Sequence, residues 1–109
     1  MGVDVVLVQV THRGTSPKKR RLATVEFVQD GADLFSGLCV NSSLPMLNRV
    51  APYRTQILTS VDMPQFLSEV DATCDLVKGQ QERDILEKIR VLAERCAEAA
   101  SLELHLQGD

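Results

Sequence analysis

The chain has 109 residues, 44% hydrophobic and 25% charged, with a formal net charge of −3. That is the composition of one globular domain, residues 1–109, around a single core. Aromatics reach only 4% and tryptophan is absent, so the core has to be built from Val, Leu, Ile and Ala, and single-strand nucleic-acid binding by stacked bases is disfavoured.

The first ten residues, MGVDVVLVQV, carry Asp4 and no basic leader, unlike a secretory signal. Val6 stands where a myristoylation signal needs Ser or Thr. Residues 3–11 are apolar on both sides, Val3, Val5 and Leu7 on one and Val6, Val8 and Val10 on the other, which reads as an interior strand. Gly14, Ser16 and Pro17 then predict a loop. It holds Arg13, Lys18, Lys19, Arg20 and Arg21, five of the chain's twelve bases, and leaves an acidic body behind it. Residues 22–28 alternate as a second strand, with Ala23, Val25 and Phe27 expected inward and Thr24 and Glu26 outward.

Residues 29–54 predict irregular structure with one short helical turn after Ser43, and 55–59 a short third strand. Met63, Phe66, Leu67, Val70, Cys74 and Val77 follow helical spacing. Ser60 is the expected N-cap, Pro64 falls in the first turn, and Lys78-Gly79 ends the helix. A second helix begins near Gln80 and runs to Ala100, with Ile85, Leu86, Ile89, Leu92, Ala93, Cys96 and Ala100 as its core face. Leu102, Leu104 and Leu106 alternate with Glu103, His105 and Gln107 in a half-exposed closing strand. The sum is an α+β fold: a small, mostly antiparallel or mixed sheet packed against a C-terminal helical hairpin and closing with a C-terminal strand.

Chemistry is sparse. His12 and His105 have no second ligand at metal spacing, and His105 is expected on the solvent side of its strand. Asp30 and Asp33, beside two glycines, lack the further carboxylates of a calcium loop. Cys39, Cys74 and Cys96 stand apart with no neighbouring base, as expected of free thiols in a reducing cytoplasm. No phosphate-binding glycine loop or serine elbow occurs, so neither catalysis, a metal nor a cofactor is expected. The basic run reads first as a solvated hairpin loop whose charges keep a strand edge from pairing with other chains; it could also contact a protein, or phosphate through Arg13 and residues 18–21, although the acidic body makes nucleic acid the weaker partner. Carboxylates are the richer signal. Asp62 and Glu69 lie on one flank of the first long helix and Asp71 and Asp75 on the other, a surface suited to steering a basic protein.

LTSVDMPQFLSEVDA, then LAERCAE, then a strand ending in GD resembles a group of small single-domain bacterial proteins, some encoded beside polymorphic toxins and regarded as immunity proteins. The likeness spans residues 58–109 and rests on Met63-Pro64, Glu69, Leu92-Ala93, Arg95-Cys96 and Gly108-Asp109. It implies a non-enzymatic inhibitor that neutralises a cognate basic toxin. Candidate contacts are Asp62, Glu69, Asp71 and Asp75, with Asp30 and Asp33. A homodimer formed by pairing the exposed edge of a terminal strand is also compatible with this reading.

Overall fold

The computed structural model describes residues 2–12, 20–51 and 53–108. Strands β1 (Asp4–His12), β2 (Arg20–Val28), β3 (Thr55–Thr59) and β4 (Leu102–Gln107) form one sheet in the order β2-β1-β4-β3. Every adjacent pair is antiparallel. The helices are α1 (Leu34–Val40), α2 (Pro45–Asn48), α3 (Met63–Leu76) and α4 (Gln80–Ala97), and a 3-10 turn, Ser60–Asp62, leads into α3. The expected α+β architecture is present, with the helical hairpin α3–α4 followed by the closing strand.

β1 is interior because it is apolar on both sides. Val3, Val5 and Leu7 join Leu58, Leu104 and Leu106 in the core beneath the helices. Phe66 and Val70 of α3 and Leu86, Ile89, Leu92 and Cys96 of α4 close that core from above. Val6, Val8 and Val10 point to the other side, which no helix covers among the described residues.

Two expectations about orientation are corrected here. Phe27 was expected inward with Val25 and Ala23, yet it is 55% exposed and pairs with Val6. The register shifts between Leu7 and Val8, so that Glu26 opposes Leu7 and Thr24 opposes Val8, leaving Val25 as an extra residue. One extra residue reverses the alternation of everything beyond it. Ala23 lies on the helix side but is exposed, Val25 is 40% exposed, and Phe27 turns to the open side, so none of the three is buried as expected. Glu26 turns toward the helices, where Arg95 of α4 meets it at 2.9 Å. His105 was expected in solvent. It does lie opposite the leucines, in register with Val6 and Ile57, but it is only 6% exposed. As the central member of its cross-strand row it is shielded by its neighbours, and Glu103 meets its Nε2 at 3.0 Å.

The 29–54 stretch is more ordered than expected, with α1 as well as the turn after Ser43. The Ser60 cap expected for α3 is absent: α3 follows directly on the 3-10 turn, and its N-cap residue, Asp62, makes no side-chain cap bond to it. Thr59 and Asp62 form a reciprocal capping box around the 3-10 turn, in place of a Ser60 cap. At the other end, α4 stops at Ala97, so Ala100 lies outside it and is exposed.

Candidate functional site

Three of the predicted contact residues are engaged in holding backbone. Asp30 is 4% exposed. Its Oδ2 accepts from the amides of Val3 and Ser36 at 3.0 and 2.9 Å, and its Oδ1 from that of Phe35 at 2.9 Å. Its own amide donates to Asp4 Oδ1 at 2.9 Å. A carboxylate enclosed by three amide donors is not available to a partner. The reason lies in α1, whose N-cap residue Asp33 has φ 56° and makes no side-chain cap bond. Asp30 receives the first orphan amides of that helix instead.

Glu69 is corrected in the same way. It is 5% exposed and accepts from the amides of Met46 and Leu47 at 3.0 Å and from Gln65 Nε2 at 2.9 Å. It caps α2, whose own N-cap position is Leu44 and offers no side-chain acceptor. Asp62, half-buried, accepts from the Thr59 amide at 2.9 Å within the capping box. Each carboxylate sits at the start of a helix or turn because free amides gather there.

Asp33, Asp71 and Asp75 remain at the surface. Asp71 lies 3.2 Å from Arg90 of α4, which also reaches Glu94 at 3.1 Å. Both side chains of the first pair are about half exposed, so the pair is a solvated one of small energetic weight. Asp75 is exposed one turn further along α3. Glu87 of α4, which was not anticipated, faces the same seam. Burial raises the Cys74 thiol pKa, and the carboxylates of Asp71, Glu87 and Asp75 add to that rise while Arg90 opposes it. The α3–α4 seam is thus an exposed acidic strip of Asp71, Asp75, Glu87 and Glu94 around one arginine.

Beside this strip, α1 and the end of α3 diverge around an open groove of about 710 Å³. Leu34, Leu38 and Leu44 form one wall and Ala72 and Leu76 the other, with Asp33, Lys78 and Glu82 at the rim. Leu76 is 78% exposed. Gly37 lines the groove from α1, and a Cβ added there would meet nothing within 4 Å. The volume falls in the range of ligand or side-chain pockets. Sequence periodicity could not reveal it, because the groove depends on the angle between two helices.

Of the basic run, Arg13, Lys18 and Lys19 lie outside the described residues. The backbones of Arg20 and Arg21 open β2, opposite His12 and Thr11. Asp109 of the closing GD is also outside. Among the described residues no cluster of His, Cys, Asp or Glu is arranged to hold a metal ion, and no helix is long and apolar enough to cross a membrane.

The thiols give a pH signature. Burial pushes Cys39 up to about 12, with Asp30 adding to it, and Cys96 up to about 11, with Glu103 and Asp62 adding. The unfolded chain releases these protons from about pH 9, while the folded chain keeps them. Their contribution is therefore complete below pH 9 and is lost as pH climbs toward 11 and 12. Urea unfolding should show stability falling over that window, with a shallower fall in a Cys39→Ala, Cys96→Ala variant. At neutral pH a thiol reagent should modify Cys74 first and the other two only on unfolding.

A second expected outcome concerns Asp30. Asp30→Ala strands three buried amides and should cost about 3–5 kcal/mol in urea unfolding. Asp30→Asn, which keeps one acceptor oxygen, should lose less.

Comparison with known proteins returned no match: no family model, no curated protein and no solved structure is similar enough to this chain to assign it to a family.

Proposed function

We propose that this chain is a non-catalytic binding domain that captures a basic protein, in the manner of an immunity protein neutralising a toxin domain. The acidic strip carries the proposal: Asp71, Asp75, Glu87 and Glu94 stay together at the surface, whereas Asp30 and Glu69 are withdrawn into helix caps. With four carboxylates around Arg90 the strip keeps a net negative charge, which steers a cationic partner and speeds its association. The adjoining groove supplies what charge alone does not, an apolar recess for one or two anchoring side chains. In support of a non-catalytic role, the buried carboxylates and histidine among the described residues are engaged in structural bonds: Asp30 to three amides, Glu69 to two amides and Gln65, and His105 to Glu103.

The two parts of the surface should separate kinetically. The titrant is the catalytically dead product of the adjacent gene, followed by calorimetry and stopped flow at two salt concentrations. Asp75→Lys should slow association by about tenfold at low salt, with the difference shrinking at high salt. Gly37→Leu, which fills the groove without a backbone clash, should mainly speed dissociation. Absence of binding, together with salt-sensitive retention on DNA or RNA, would replace this reading with one centred on residues 13–21.

A further inference from the structure

The side of the sheet away from the helices has its own pattern. In register across the strands run Phe27, Val6, His105 and Ile57. The next row is Thr24, Val8, Glu103 and Thr59, and Leu22 beside Val10 continues the face on β1 and β2. The centre is closed: Val6, Val8, Val10 and His105 are 4–9% exposed. The flanks stand proud, with Leu22, Phe27 and Ile57 53%, 55% and 52% exposed. A sheet face of this kind is two apolar ridges on a dry floor.

We infer that this face is the self-association surface of the protein, where two copies stack open sheet on open sheet across a two-fold axis. Three observations select a second copy as the occupant. The first is charge. The ionisable pair at the centre, Glu103 and His105, is already joined at 3.0 Å and its side chains are 14% and 7% exposed. Asp4, in one row with Gln107 and Thr55 at the end of the face, already accepts from the Asp30 amide at 2.9 Å, so each of these ionisable groups enters the contact with a partner of its own. The exposed acids Asp71, Asp75, Glu87 and Glu94 all belong to α3 and α4 on the opposite side of the sheet. Two acidic bodies can meet through this face with those charges held apart, and a basic partner drawn by them is directed to the helices.

The second is shape. A twisted antiparallel sheet with one bare face pairs with another at about 10 Å, side chains interdigitating. Ridges over β2 and β3 with a lower floor between them can interlock with the same relief rotated by the two-fold. The third is area. Leu22, Phe27 and Ile57 are each more than half exposed and supply its apolar part. With the exposed Thr24, Thr55, Thr59 and Gln107 around them the face comes to about 600 Å² per partner, the lower end of specific interfaces. This differs from pairing through a strand edge, which would join backbones and leave both faces bare.

Sedimentation equilibrium from low to high micromolar concentration tests the inference. The wild type should sediment at twice the monomer mass at the upper end. Phe27→Thr with Ile57→Thr keeps strand propensity, cuts the β2 ridge back to Leu22 and removes the β3 ridge, and should raise the dimer dissociation constant at least tenfold with an unchanged circular dichroism spectrum. Ile57→Lys alone, at a half-exposed position, should do the same by placing an ammonium group in the apolar contact. Leu76→Thr in the helix-side groove should leave the constant unchanged. A wild type that is monomeric throughout overturns the inference and leaves the face to a different chain. A dimer indifferent to the changes at 27 and 57 overturns it in favour of the strand edge or the helix side.

Discussion

The carboxylate of Asp30 is the tie on which the upper layer of this protein hangs. It gathers the Val3 amide at the start of β1 and the Phe35 and Ser36 amides at the start of α1, while Asp4 returns the bond to its own amide. A buried anion without a cationic partner is costly in an apolar setting. Three amide donors make it tenable, and they come from segments that otherwise share little. Gly2 fits against the same residue so closely that a Cβ there would collide with the Asp30 carbonyl. The end of β2, the start of β1 and the first helix are thus held at one point.

Glu69 repeats the device on the opposite side of the helical layer. Helices of seven and four residues are too short to persist on their own. Each is secured at its N-terminus by a carboxylate from elsewhere in the chain. Asp30 lies just before α1, and Glu69 reaches α2 from the middle of α3. The groove between α1 and α3 follows from this arrangement: α1 is fixed from the sheet and α2 from α3, and the space between them is bounded rather than filled.

The acidic character of the chain is therefore divided by burial into two populations. Asp30, Glu69 and Asp62 complete helix and turn starts, whereas Asp71, Asp75, Glu87 and Glu94 face water along α3 and α4. The binding surface proposed for a basic partner uses the second group alone. The sheet supplies a separate surface of opposite character, poor in charge and rich in Val, Phe and Ile. A layered α+β domain with helices on one side leaves such a face by construction, and an occupant for it need not compete with the partner on the helices.

The sequence by itself determined the strands and the two long helices, but not α1. Val-rich residues 3–11 can only be an interior strand, the three- and four-residue spacing from Met63 to Val77 can only bury one side of a helix, and the leucines at 102, 104 and 106 define a strand with one core face. These are local periodicities, and local periodicity survives folding unchanged. Tertiary structure decided what depends on distant neighbours. The bulge at Val25 turned Phe27 outward, because alternation beyond it is set by pairing with β1 rather than by β2 itself. His105 became buried because Val6 and Ile57 flank it from strands far away in sequence. Asp30 and Glu69 looked like any surface acid, since nothing in a carboxylate's immediate sequence tells whether free amides from another segment will converge on it.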